Sequence, residues 1–205
     1  MAKSCAEMYY ELTGRKHVYS IMPINNIPSI MTNGILSHEQ AKKFPHLSVA
    51  DLDVQDRRDR VVLPNGSQLH YYTNLYFSFW NPMLSRIRDK NEEICILGIA
   101  ASVLDLAGCA ITDRNAATAL ARFYSPQEGL RELNHKRIHA TNWYTEDVYQ
   151  LRDNRAVKCA EVLIPERVAP EYIMGAYVVS ESAKDTLLSK GFDKTIIVKS
   201  SNFFK

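Results

Sequence analysis

The hydrophobic and polar positions of this chain fall into short runs, and those runs predict strands more readily than long helices. His17-Val18-Tyr19-Ser20-Ile21-Met22 predicts a first strand, stopped by Pro23. From about Asn26 a short helix is expected, with Ile27, Ile30 and Met31 on one face and Asn33-Gly34 as its stop. Ser37-His38-Glu39-Gln40 has capping-box form and opens a second short helix ending near Phe44. Helix N-termini placed directly after a strand suit an anion such as a diphosphate. Pro64-Asn65-Gly66 marks a turn, and Leu75–Phe79 predicts the next strand. Ile94–Ala101 and Tyr172–Val179 are almost continuously apolar, the pattern of strands buried on both faces. Thr112–Ala117 reads as a turn into a helix, and Ser125-Pro126-Gln127-Glu128 opens another. Ser182–Lys190 predicts a helix ended by Gly191, and Thr195–Lys199 a last strand. Residues 1–16 read as a short helix or loose arm, 45–62 as a polar loop, and the stretch around Arg152–Lys158 as a charged, mobile segment. Strands and short helices mix without regular βαβ alternation. The fold class expected is therefore α+β, with a largely antiparallel sheet in one domain spanning residues 1–205.

The stretch Lys158-Cys159-Ala160-Glu161-Val162-Leu163-Ile164 stands out. Alternation places Ala160, Val162 and Ile164 on one face of a strand and Glu161 with Leu163 on the other. A carboxylate at the head of such a strand is costly unless it is paired, hydrogen-bonded or used. Strand-end glutamates are ordinarily solvated, so position alone leaves Glu161 a surface residue.

Composition narrows the classes. The chain has 205 residues, 46% of them apolar, and no apolar run of the ~20 residues that span a bilayer. Its N-terminus lacks an apolar signal core, and its four cysteines (Cys5, Cys95, Cys109, Cys159) form no C-x-x-C pair, so reduced thiols and a cytoplasmic location are expected. A net charge of +2 is too small to argue for nucleic acid by itself. The densest charge is local: Asp51, Asp53, Asp56, Arg57, Arg58, Asp59 and Arg60. There is no phosphate loop, no G-x-G-x-x-G after a strand and no H-E-x-x-H. The six histidines are scattered. His135 and His139 sit one helical turn apart, but no third ligand accompanies them, and no metal is expected. Cys159, in an apolar strand, reads as an inert thiol.

An arginine cluster, aromatic-rich strands and one strand-borne glutamate remain, and their order is informative. Val18–Met22, Asn26-Ile27, Gly34–Ser37, Asp56–Arg60, Leu69–Tyr72, Tyr76-Phe77, Asn81–Leu84, Thr112–Ala117, Phe123-Tyr124, Trp143 and Lys158–Glu161 follow one another at familiar spacings. In these pieces the chain resembles the DarT family of nucleic-acid ADP-ribosyltransferase toxins from about Val18 to Phe204. The resemblance implies a compact ADP-ribosyltransferase fold with a split central sheet, and NAD as co-substrate without a metal. Glu161 and Arg58 match the family's catalytic pair. NAD contacts fall on Ser20, Ile21, Met22, Ser29, Ser37, Arg58 and Tyr76. Nucleic-acid contacts fall on Trp80, Asn81, Met83, Trp143, Tyr144, Arg155 and Lys158. The implied partners are single-stranded DNA and a macrodomain-type antitoxin, in a toxin–antitoxin or phage-defence setting, with no membrane.

Two departures bear on specificity. Ser20 and Met22 stand where the family carries His and Thr, and Ser78-Phe79-Trp80 replaces the basic sequence of the thymidine-modifying branch. The target base is therefore open, and transfer to RNA or a catalytically silent nucleic-acid-binding domain are the alternatives.

Overall fold

The structure, a computed structural model, describes residues 3–49 and 52–205; Asp51 of the charged run lies outside them. Ten strands are present among the described residues: β1 (His17–Pro23), β2 (Ile35–Leu36), β3 (Tyr72–Tyr76), β4 (Ile94–Ala100), β5 (Ala110–Thr112), β6 (Phe123–Tyr124), β7 (Glu161–Pro165), β8 (Arg167–Val168), β9 (Ile173–Val178) and β10 (Thr195–Val198). The helices are α1 (Cys5–Thr13), α2 (Ile27–Asn33), α3 (His38–Ala41), α4 (Leu52–Arg58), α5 (Pro82–Arg86), α6 (Pro126–Glu132), α7 (His135–Ile138), α8 (Val148–Lys158) and α9 (Glu181–Ser189).

Eight strands form one sheet in the order β10-β9-β4-β1-β3-β7-β5-β6, antiparallel throughout except for the β10–β9 pair. The two apolar runs occupy places that explain them. β4 lies between β1 and β9 and is buried along almost its whole length, so neither face selects polar residues. β1 pairs with β4 over seven residues but meets β3 only at Tyr19 opposite Tyr76. The sheet is split at that point, as expected for this α+β architecture.

Apolar side chains fill both sides. Val18, Leu75, Leu97, Ala160, Val162 and Ile164 belong to one core, and Tyr19, Ile21, Tyr76, Ile96 and Cys159 to the other. The alternation expected along Ala160–Ile164 is thus realised. At the edge, Gly34 has φ 85° and its Cα faces the Val168 carbonyl so closely that a Cβ would collide with it. Only glycine allows both that backbone and that approach, which delivers the chain from α2 into β2.

Three expectations need correction. The 45–62 stretch is not all loop, because Leu52–Arg58 is helical. The stretch around Arg152–Lys158 is not mobile but belongs to α8, begun by Asp147 accepting from Gln150 N–H at 2.9 Å. No helix follows Thr112–Ala117; Thr112 ends β5, and bends and turns carry the chain on to Leu120. No helix among the described residues is long and apolar enough to cross a membrane.

Candidate active site

Glu161 heads β7 directly opposite Tyr76 of β3, which in turn faces Tyr19 of β1. Opposed residues of antiparallel strands share a face, so the three side chains lie in a row across the split. Glu161 is fully buried, not solvated. β7 is interior to the sheet, between β3 and β5.

The carboxylate is compensated by donors from two distant parts of the chain. Arg58 Nη1 donates to Oε1 at 3.1 Å and to Oε2 at 3.0 Å, and the Ala116 N–H donates to Oε1 at 3.0 Å. The Glu161 N–H donates to Thr112 Oγ1 at 3.1 Å, and that hydroxyl donates to the Arg114 carbonyl at 2.7 Å. Charge-assisted bonds of this kind are what make a buried carboxylate tolerable. Arg58 ends α4, and consecutive helical residues point about 100° apart. Arg57 is accordingly exposed, while Arg58 is buried against Glu161.

The turn that supplies Ala116 is itself braced. Asn115 N–H donates to the Ala156 carbonyl at 2.9 Å. Arg114 pairs with Asp153 at 2.8 Å, and Asp153 pairs with Arg137 at 2.6 Å. Helix α8 therefore fixes the backbone donor that holds the carboxylate.

A cavity of about 700 Å³ opens at the split, with Ser20, Ile21 and Met22 of β1 on one side and Asn74, Tyr76 and Arg58 on the other. Ser29, Met83, Arg86, Asn115 and Cys159 also line it. Glu161 does not, although Arg58, which bonds its carboxylate, does. Burial, and then the Glu161 carboxylate, push the Cys159 thiol up to about 12, so it stays protonated and is no nucleophile. Burial, then Glu161 and Cys159, also raise the Tyr76 phenol well above its ordinary value. Tyr76 thus offers the cavity a neutral aromatic ring.

Of the residues expected to touch NAD, Ser20, Ile21, Met22, Ser29, Arg58 and Tyr76 converge on this cavity. Ser37 does not. It is buried, its hydroxyl accepts from the Gln40 N–H to cap α3, and its own N–H donates to the Glu166 carbonyl. Its hydroxyl keeps a lone pair and its O–H, but it does not open onto the cavity.

The nucleic-acid candidates divide in the same way. Trp80 donates from Nε1 to the Thr141 carbonyl at 2.9 Å and stacks on Phe204 at 3.9 Å, with Trp143 edge-on to Phe204 at 5.6 Å. Tyr144 and Arg155 are exposed, and Met83 lines the cavity. Asn81 is fully buried as the cap of α5. Lys158 is 1% exposed, with its ammonium donating to the Ile138 and Ala140 carbonyls at 2.8 and 2.7 Å. Neither side chain is free to meet nucleic acid as expected. Both instead hold the backbone beside Trp80 and Trp143. Thr112, the Ala116 N–H and Phe204 were not anticipated as site residues. A backbone donor leaves no mark in a sequence, and Phe204 had only its aromaticity to signal it.

A family model described as the ssDNA thymidine ADP-ribosyltransferase DarT matches residues 19–204, nearly the whole chain. The chain belongs to the DarT family. Among its relatives, a DNA ADP-ribosyl transferase of a Thermus strain is 32% identical over 72% of this chain and 73% of its own length. A DNA ADP-ribosyl transferase–DNA ADP-ribosyl glycohydrolase fusion protein of Thermosipho africanus is 28% identical over 84% of this chain, which spans 45% of the fusion. The solved structure of Thermus DarT in complex with ADP-ribosylated ssDNA superposes with a TM-score of 0.80 at 25% identity, over the full length of both chains. The α+β split-sheet expectation and the family resemblance are both borne out.

Proposed function

We propose that this DarT-family chain transfers ADP-ribose from NAD to a thymidine base in single-stranded DNA. The observation that carries the reading is the buried Arg58–Glu161 pair, whose Arg58 lines the cavity beside Ser20–Met22 and Tyr76. In the transfer, the bond between ribose C1′ and the nicotinamide nitrogen breaks, and nicotinamide leaves with the bonding electrons. A bond from C1′ to a ring nitrogen of the base forms, and that nitrogen loses its proton. Positive charge builds on the ribose as the first bond breaks, and a fixed carboxylate such as Glu161 stabilises it. The same carboxylate is the proton acceptor for the base. Arg58, with a guanidinium pKa of about 12.5 or more, serves as an orienting cation, suited to the diphosphate. When Arg58 turns toward the diphosphate it uncovers Glu161 to the cavity. The exposed Tyr144 and Arg155 supply a base-stacking face and a phosphate contact beside the Trp80–Phe204–Trp143 stack. A base edge must be unpaired to react, which favours single strands.

The glycohydrolase half of the Thermosipho fusion protein supports a matching partner, a macrodomain-type hydrolase that removes the mark; the wider setting proposed is a cytoplasmic toxin with that hydrolase as antitoxin, in phage defence.

The test is incubation of the purified chain with NAD labelled in its ADP-ribose half and defined oligonucleotides. Label is expected on single-stranded DNA containing thymidine. Label on thymidine-free DNA reassigns the base, label on RNA alone reassigns the acceptor, and no transfer to any of them rejects the proposal.

A further inference from the structure

We propose that His38, Glu39 and His70 form a binding site for a divalent transition metal of the zinc type, fastening α3 to the 3-10 turn ahead of β3. One ligand-capable atom from each of the three lies within 4.8 Å of the others. His38 and Glu39 open α3, and His70 lies in the turn Leu69–Tyr71, so two separate parts of the chain converge.

His70 is the independent observation that points to a ligand. Its side chain is 3% exposed; Nδ1 has Asp59 Oδ1 at 2.6 Å, while Nε2 is enclosed without a hydrogen-bond partner. A buried imidazole nitrogen left without a partner forfeits a hydrogen bond it made in water, a cost of about 1–3 kcal/mol. The His38 ring faces it at 4.3 Å between centroids, tilted by 34°. Two imidazoles facing each other beside a carboxylate is an arrangement for a cation rather than for apolar packing.

The donor set suits the metal. Zinc takes imidazole nitrogen at about 2.0–2.1 Å and carboxylate oxygen at about 2.0–2.2 Å, usually in a tetrahedron, with His₂Glu plus water a recurrent combination. Tetrahedral ligands at those lengths stand about 3.3 Å apart, so side chains now within 4.8 Å must close by roughly an ångström or more. His38 is exposed and free to move inward. Glu39 accepts from Lys42 at 2.5 Å on the surface, and such exposed pairs exchange at little cost. Asp59 is placed to orient the His70 ring from behind, as carboxylates commonly do for ligating histidines. The His135–His139 pair, by contrast, has parallel rings 6.4 Å apart and no third ligand among the described residues.

The role is architectural. None of the three residues lines the NAD-sized cavity, but Ala41 and Phe44, just beyond His38 and Glu39, do, and Asp59 immediately follows Arg58. A metal here fixes one wall of the cavity and the end of α4 without entering the transfer chemistry.

The full-length chain, stripped with chelator and desalted, is titrated with Zn²⁺ against a chromophoric chelator, and with Co²⁺ while its visible d–d bands are followed. One equivalent of metal is expected in the micromolar range or tighter, with tetrahedral Co²⁺ bands and a raised melting temperature. His70→Ala removes a buried side chain and risks the fold, so His38→Ala and Glu39→Ala, both nearer the surface, are the deciding variants. Each is expected to weaken affinity by about 10–100-fold or more. Absence of saturable micromolar binding, or undiminished affinity in either surface variant, overturns the site.

Discussion

Arg58 and Glu161 are 103 residues apart in the chain, yet one guanidinium nitrogen donates to both carboxylate oxygens, with the two side chains 7% and 0% exposed. Such a pair contributes less to stability than its contacts suggest, because desolvation offsets the attraction; breaking it from one side is the costly event, at about 3–5 kcal/mol. The pair is therefore better understood as a prepared charge arrangement than as a rivet.

That distinction decides which Glu161 variant tests catalysis. Glu161→Ala strands the buried guanidinium and should melt well below wild type. Glu161→Gln preserves the shape and lets an amide oxygen accept from Ala116, at a cost of about 1–3 kcal/mol for the mismatched side. Transfer by Glu161→Gln should fall by at least about 10²–10³-fold, as for loss of a key electrostatic group. Calorimetric NAD affinity should change by only a few-fold. Single-turnover labelling above a tenth of the wild-type rate sinks the assignment.

Arg58 and its neighbour separate specific from general charge. Arg57 is exposed and Arg58 buried on the cavity side. Arg58→Ala, which strands the Glu161 carboxylate and is assayed well below its lowered melting temperature, should raise the KM for NAD and lower kcat together, while Arg57→Ala changes either by less than about twofold, within the small range of surface charges. Equal losses in steady-state assays of the two variants mean that only local positive charge matters.

The strands of this site were legible, and its closure was not. β4, β7 and β9 announce themselves because burial on both faces, or strict alternation, leaves a pattern in their apolar residues. Helix α8 does not: Arg152, Asp153, Arg155 and Lys158 crowd its second half, and its support comes from Arg114 and Arg137 pairing with Asp153. The family resemblance likewise puts Lys158 among the nucleic-acid contacts, whereas its place at the last helical position turns it toward the carbonyls of Ile138 and Ala140. His38 and His70 looked scattered because the contact joining them is tertiary.

Lys158 is then expected to act through the loop it anchors. Its ammonium also lies 5.5 Å from the Trp143 ring centre, and Thr141, next along the loop, accepts from Trp80. Lys158→Met fills the volume but leaves two carbonyls without their donor, about 1–3 kcal/mol each if they stay dry. Single-stranded DNA affinity, measured by fluorescence anisotropy, should fall about tenfold, the scale of one lost base stack, with NAD affinity unchanged. Loss of NAD affinity to the same degree argues for global damage instead.

The same loop predicts an acid sensitivity. Burial, and then the neighbouring Arg15, His135 and Lys158, push His139 down to about 3 from its ordinary 6.5. Between those values the unfolded chain binds a proton that the folded chain refuses, so stability declines as pH is lowered from about 6.5 toward 3. Above 6.5 both states are neutral at this position and the contribution is flat. One such group sets a slope of at most about 1.4 kcal/mol per pH unit. His139→Leu, which cannot take up the proton, should show a shallower decline in urea-unfolding free energy across that window and the same pH response as wild type between 7 and 8. Parallel curves for the two proteins below pH 6 mean that the acid response originates elsewhere, with the Arg114–Asp153–Arg137 pairs next to be probed. Arg137 and Arg114 hold the Asp153 carboxyl below its ordinary value. Their contribution is therefore present above about 3.8 and fades only as pH falls further, through the folded value. A decline that begins near 6.5 separates His139 from that network.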